Sequence, residues 1–356
     1  MPEHQCQRHS IRAMKSDSRI MRGLQRLRGW LPLASPLGLC LVLAGASAPL
    51  LGAESSDVFP SRPVTVVLAI APGGPVDAEA RLYLPKMQGV LGQPFVVDFK
   101  PGATGTTGTA YVARAVPDGY TLLLVTSGLT VFPAVYKSLA FDPIKDFAHL
   151  SLMSKKPTVL VANPSFPPRD AAEYLAYARA NPGKVNFGTT GNGSSNHLVG
   201  AWIHSATRTK VTFVPYKGLG PMLPDIMGGR LDLTSAILSG VMPLIKSGKL
   251  RALAMTGEKR SGLLPDVPTI SEKGIPGYDY SYWTGFSAPA GTPPAIAKKL
   301  ADAFARVAHL PDVVTALESD GALAIGSSPE QFRQLLIAET TLWRKVVQDS
   351  GIAMED

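Results

Sequence analysis

The sequence predicts an α/β protein made of two similar lobes. Short β-branched runs alternate with helical stretches, the signature of strands crossing to helices and back. The alternation restarts after Pro164, so the pattern is present twice. Each half also contains one strand, glycine-rich turn and helix built to the same plan. The first runs from Val64 through Ala71-Pro-Gly-Gly-Pro-Val-Asp77, and the second from Val185 through Gly188-Thr-Thr-Gly-Asn-Gly-Ser-Ser-Asn-His197. Such a turn leaves backbone N–H groups unpaired at a helix start, where they and the helix dipole attract an anion. Two of them suggest a clamp that holds a small anion from both sides.

The elements follow in order. Residues 64–70 form a β-branched run and read as a buried parallel strand. Residues 78–91 read as a helix with Asp77 as N-cap, and 95–99 as a second strand. Residues 101–108 form a Gly/Thr turn opening a helix to Ala115, and 121–125 a third strand. The stretch 127–143, rich in aromatics and proline, reads as a loop. Residues 159–162 form a strand that leaves the first unit, and 170–180 a helix ending at Asn181-Pro-Gly183. The restart places strands at 185–187, 211–214, 232–236 and 251–255, and helices at 194–206, 221–227 and 242–247. Residues 281–288 read as a strand returning to the first unit, followed by helices at 293–308, 313–319 and 329–349. The expected organisation is a first lobe of 57–157 plus 278–356 and a second lobe of 158–277. Two crossings between lobes make a hinge, and a hinge makes a cleft that closes.

The N-terminus reads as a secretory leader within residues 1–53, cleaved between about 46 and 53. Arg8, Arg12, Lys15, Arg19, Arg22, Arg26 and Arg28 precede an apolar run and a small-residue segment, Ala44-Gly-Ala-Ser-Ala48. That run carries Pro32 and Pro36 and is short for a membrane span. Leu39 before Cys40 does not suit a lipidated cysteine, which normally follows a small residue. Removing 1–46 takes both cysteines, seven of the 35 basic and two of the 27 acidic residues, leaving 28 against 25. The mature chain then has no disulfide and no thiolate metal site. No basic run interleaved with aromatics argues for nucleic acid.

Candidate binding residues are Gly73, Gly74, Pro75, Val76 and Asp77 in the first turn, and Gly191, Asn192, Ser194, Ser195 and His197 in the second. Thr126, Ser127 and Gly128 join them, because ligands of open α/β sheets bind beyond the carboxyl ends of strands. Each has a structural alternative. The glycines and Pro75 shape a tight turn, Asp77 and the two serines can cap helices, and His197 can pack against an apolar face. Lys217 either supplies a fixed positive charge near a carboxylate or is a solvated surface lysine. The glycines of 102–108 lack the acidic partner of a dinucleotide site, so no nucleotide cofactor is expected.

With these motifs in view the chain resembles the tripartite tricarboxylate transporter substrate-binding proteins, the Bug receptors. The resemblance spans about residues 59–351. It rests on Phe59-Pro-Ser-Arg-Pro63, Ala71-Pro-Gly-Gly-Pro-Val-Asp77, Pro101-Gly-Ala-Thr-Gly-Thr-Thr-Gly108 and Pro117-Asp-Gly-Tyr-Thr-Leu-Leu123. It continues through Gly191-Asn-Gly-Ser-Ser-Asn-His-Leu198, Val214-Pro-Tyr-Lys-Gly218, Gly248-Lys-Leu-Arg-Ala-Leu-Ala254, Leu264-Pro-Asp-Val-Pro268 and Ala288-Pro-Ala-Gly-Thr-Pro293.

The resemblance implies a type II periplasmic-binding-protein fold, two α/β lobes around a cleft. It further implies a monomeric periplasmic receptor that takes a small carboxylate through backbone N–H groups and hydroxyls of both turns and delivers it to membrane transporter subunits. A sensor presenting the same loaded carboxylate to a signalling partner fits the same residues. Val76, Ala201 and the segment Thr234-Ser-Ala-Ile-Leu-Ser239 depart from the family, which often carries Thr, Glu, and Asp or Asn there. Polar groups are thus fewer, which favours a non-amino acid ligand over one bringing an ammonium. Enzymatic chemistry is not expected. There is no Gly-x-Ser-x-Gly elbow, and the histidines after the leader, at 149, 197, 204 and 309, are too scattered for a metal set.

Overall fold

The computed structural model describes residues 56–352. The leader, its cleavage sites and both cysteines lie outside the described residues. Among the described residues no helix is long and apolar enough to cross a membrane.

Two sheets carry the chain. The first contains β1 (Val64–Leu68), β2 (Phe95–Phe99), β3 (Thr121–Thr126), β4 (Phe147–Lys156), β10 (Tyr282–Pro289) and the short β11 (Leu323–Ala324). Its order is β11-β4-β10-β3-β1-β2. The second contains β5 (Thr158–Ala162), β6 (Asn186–Thr189), β7 (Thr212–Pro215), β8 (Leu233–Ile237) and β9 (Arg251–Met255), in the order β7-β6-β8-β5-β9. Leaving β11 aside, the two orders are the same. β2-β1-β3-β10-β4 in one matches β7-β6-β8-β5-β9 in the other. Within these matching five-stranded sets each sheet has one inner strand antiparallel to both neighbours, β10 in the first and β5 in the second. The chain enters the second sheet just after Pro157 and returns between Met255 and Tyr282. The two-lobed fold with two crossings expected from the sequence is thus present.

The helices are α1 (Pro75–Leu91), α2 (Thr106–Ala113), α3 (Gly128–Val135), α4 (Ala171–Ala180), α5 (Ser195–Thr207), α6 (Leu219–Met227), α7 (Leu238–Lys246), α8 (Ile270–Lys273), α9 (Pro294–Ala308), α10 (Pro311–Ser319) and α11 (Pro329–Ser350). A 3-10 turn, Ala103–Gly105, precedes α2.

Three sequence expectations are corrected. First, α1 begins at Pro75, not at residue 78, and its N-cap is Gly74 rather than Asp77. Proline is pre-set for the first helical position because its φ suits the helix and its missing N–H would be unpaired there anyway. Second, residues 128–135 of the expected loop form α3. Pro133 looked like a breaker, but α3 is only eight residues long and its buried face, Leu129, Val131, Phe132, Ala134 and Val135, holds it in place. Third, β4 was not anticipated. Its alternation is hidden because polar Ser151, Ser154 and Lys156 are buried along with its apolar residues.

The cores show how the lobes meet. In α11, Phe332 and Leu336 pack with Trp283 beneath the first sheet. Further along, Trp343, Val346 and Val347 join a cluster with Phe187, Leu198 and Val199 of the second lobe. Val131, Ala134 and Val135 of α3 enter that same cluster. The last helix therefore straddles the junction, with Trp343 edge-on to Trp202 of α5 at 5.9 Å and to Tyr280 at 5.6 Å.

Candidate functional site

The sheet order itself selects the site. In the first sheet β1 lies between β2 and β3, and in the second β6 lies between β7 and β8. The helices leaving β1 and β3 therefore run to opposite sides, and likewise those leaving β6 and β8. A crevice opens beyond the carboxyl ends of such a strand pair. The two glycine-rich turns follow β1 and β6, and Thr126-Ser127-Gly128 follows β3.

In the first turn Gly73 has φ +90°, which favours glycine. Its N–H donates to Asp77 Oδ2 at 2.8 Å, while Arg81 Nε donates to Asp77 Oδ1 at 2.9 Å. The Asp77 carboxylate, in the first turn of α1, is thus spent on its own turn and on Arg81. The Pro75 carbonyl accepts from Lys156 Nζ at 3.3 Å. Val76 is buried in the core of the first lobe.

The second turn is wired through Asn196, which sequence reasoning passed over. Its Oδ1 accepts from Thr190 N at 2.8 Å and lies 2.9 Å from Ser194 Oγ, while its Nδ2 donates to Thr234 Oγ1 and to the Ser235 carbonyl, both at 3.2 Å. An Asn at the second position of a helix after a glycine turn was the available signal. Ser194 caps α5: its Oγ accepts from His197 N and also lies 2.7 Å from the Gly191 carbonyl. His197 Nδ1 accepts from Gly193 N at 3.2 Å, and its ring stands on Phe213 at 4.6 Å. Burial holds this imidazole down to about 4, so it is neutral at physiological pH and supplies no positive charge to an anion. Asn192 and Lys217 are exposed, Lys217 in the turn after β7.

The lobes touch around both turns. The hydroxyls of Ser127, which is fully buried, and Ser195 lie 3.4 Å apart, and Ser127 Oγ lies 2.9 Å from Tyr280 Oη. Burial raises the Tyr280 phenol above its ordinary value, so it remains protonated and able to donate. A Cβ on Gly193 would lie 2.9 Å from Val135 Cγ2, and one on Gly191 would lie 3.9 Å from Thr104 Oγ1. One on Gly240 of α7 would lie 3.7 Å from Pro75 Cγ. Beside Thr126 a cavity of about 30 Å³, lined by Ile70, Thr104, Gly105, Thr109 and Phe132, opens at the ends of β1 and β3. It has room for a bridging water. Two larger hollows, of about 520 Å³ at Asn163 and Lys249 and about 470 Å³ at Phe141 and Arg344, are lined by none of these turn residues. Among the described residues the N–H groups of Gly74, Gly191 and Asn192 have no protein acceptor. The arrangement offers donors and hydroxyls from two sides and is suited to anions.

A buried ion pair supports the first turn. Lys156 Nζ lies 2.6 Å from Glu79 Oε2, both side chains almost fully buried. Glu79 Oε1 accepts from Tyr83 Oη at 2.6 Å and Thr284 Oγ1 at 2.8 Å, and also from Ser154 Oγ. One carboxylate therefore joins α1 to β4 and β10, the two strands that flank the crossings.

The fold and site define a two-lobed binding protein of the periplasmic type. Over residues 80–352 the chain matches the family described as "Tripartite tricarboxylate transporter family receptor", and it belongs to that family. Among solved structures it is similar to a Rhodopseudomonas palustris protein with adipate, at 34% identity and TM-score 0.77, over 83% of this chain and 100% of that one. It is also similar to the R. palustris protein MatC with bound malate, at 35% identity and TM-score 0.75, over 81% of this chain and 100% of that one. The periplasmic binding protein BugD is 33% identical with TM-score 0.76, again over 83% of this chain and 100% of that one. The family is one of solute-binding receptors that serve tripartite transporters.

Proposed function

We propose that this chain is exported to the periplasm, acts as a monomeric receptor without catalytic activity, and closes on a small carboxylate that carries no amino group. The observation that carries the reading is the meeting of Ser127 and Ser195 across the lobes, between two turns with unpaired N–H groups. Adipate and malate in the two relatives are dicarboxylates without an ammonium, which supports the class. Burying an ammonium without an acidic partner is costly. The Asp77 carboxylate, the nearest candidate for that partner, is taken by Gly73 and Arg81. Ala201 and Ala236, at or near places where the family often has polar groups, are buried apolar residues.

Calorimetry with succinate, malate, adipate, citrate, benzoate, aspartate and glutamate tests the reading. At least one non-amino acid is expected to bind more tightly than both amino acids. A ligand present at 100 times its dissociation constant adds about 2.7 kcal/mol of stability, so the melting temperature provides a second readout. Tight binding of aspartate and glutamate alone would show the ligand class to be wrong.

A further inference from the structure

Glu339 of α11 has no part in the site as described, yet it grips the β3–α3 turn by two routes. Trp283 Nε1 donates to Glu339 Oε1 at 2.8 Å, and the Trp283 carbonyl accepts from Ser127 N at 3.2 Å. On the other side Thr130 Oγ1 lies 2.9 Å from Glu339 Oε2 and 2.8 Å from the Ser127 carbonyl. Both oxygens facing Thr130 are acceptors when Glu339 is ionised, and a threonine hydroxyl has one hydrogen to give. The contacts are all satisfied if Glu339 is the neutral acid. Oε2–H then donates to Thr130, Thr130 donates to the Ser127 carbonyl, and Trp283 donates to Oε1. Trp283 and Thr130 are buried, so an unmet contact here has little water to fall back on.

We propose that Glu339 is a positioning residue for the binding site, working as a neutral acid that holds Ser127, through Thr130 and Trp283, where it meets Ser195 across the lobes.

Burial pushes the Glu339 carboxyl up to about 7, against the pull of the bonds from Trp283 and Thr130. The other charged groups that face it are Lys155 on β4, which favours the ionised form, and Asp279 before β10, which opposes it. Tyr280, from the same segment as Asp279, also faces it. Residues 128–135 of α3 include no ionisable side chain. The two histidines of α5 are engaged inside the second lobe, His197 against Phe213 and His204 with Tyr174 and Thr209. A carboxyl raised in the folded state adds stability below its unfolded value, and that stability is lost as pH rises through the folded value. The Glu339 contribution therefore fades between about pH 4.5 and pH 7 and is gone above that window.

The inference rests on the carboxylate-receptor reading for its last readout only. In ligand-free protein, difference infrared spectroscopy is expected to show a protonated carboxylic-acid band at pH 6 that bleaches by pH 8 and is missing in E339Q. The melting temperature of wild type relative to E339Q is expected to fall over the same range, because the amide keeps both contacts at every pH. With malate as probe, wild type should bind about tenfold more weakly at pH 8 than at pH 6, following the neutral fraction of the acid. E339Q should show no such pH dependence, and E339A should be weak at both. Thr130→Val serves as a second variant: it removes the acceptor and should shift the acid band without abolishing it. Absence of the band, or one pH profile shared by wild type and E339Q, overturns the proposal. A protein that shows the band and the melting shift but binds none of malate, adipate, succinate, citrate and benzoate would instead count against the ligand reading.

Discussion

Gly193 is where a single methyl group can separate folding from closure. Its φ is +63°, and a Cβ there would stand 2.9 Å from Val135 Cγ2. Gly193 belongs to the second turn and Val135 to α3 of the first lobe, so the two costs of Gly193→Ala fall on different states. The left-handed backbone costs about 1–2 kcal/mol for a residue with a Cβ, whether the lobes are open or closed. On the proposed closure of the lobes, the overlap with Val135 is expected to weigh on the closed form. Val135 is buried and β-branched, so it cannot swing aside cheaply. Overpacking of this kind costs about 1–3 kcal/mol. At about 1.4 kcal/mol per decade, that weakens ligand affinity about 5- to 150-fold. The assay is calorimetry with the tightest acid among malate, adipate and succinate, beside thermal unfolding without ligand. Gly193→Ala should lower both affinity and melting temperature. Adding Val135→Ala should restore affinity in part while leaving the backbone cost in place. If Gly193→Ala lowers stability but leaves the dissociation constant unchanged, the contact does not belong to the ligand-bound form and the reasoning is wrong.

Lys156→Met should destabilise the protein by about 3–5 kcal/mol, because it strands the Glu79 carboxylate in a buried site. The double variant with Glu79→Gln should recover much of that loss in chemical denaturation, and no recovery would mean that the charge pair is not the cause. His149, His197 and His204 are each held down to about 4, chiefly by burial. A depressed histidine adds stability above its unfolded value of about 6.5 that is lost as pH falls toward 4, by at most about 3 kcal/mol each. Denaturation curves between pH 7 and pH 4 check this, and flat stability across that range would refute it. Small-angle scattering should give a smaller radius of gyration with a bound acid than without, and unchanged scattering at saturation would count against closure of the lobes.

The alternation of strands and helices, the restart after Pro164 and the late return strand near residue 282 could be read from the chain alone. These are legible because hydrophobic period, β-branched runs and glycine turns are local properties of the chain. The two glycine-rich turns and Thr126–Gly128 were legible for the same reason, since each ends a recognisable strand. What each side chain does there depended on partners far away in sequence. Asp77 looked like a cap, yet Gly74 and Pro75 start the helix, and Val76 lies in the core. Tyr280 and Glu339 gave no pattern to read, and the signal at Asn196 named no partner, because the roles of all three come from contacts with Ser127, Thr130 and Thr234 across the fold. β4 was hidden because a buried strand that carries Ser151, Ser154 and Lys156 hydrogen-bonds them to other elements instead of turning them to solvent. Tertiary structure alone decided these points, since a polar residue becomes tolerable inside a protein only when a distant partner arrives to satisfy it.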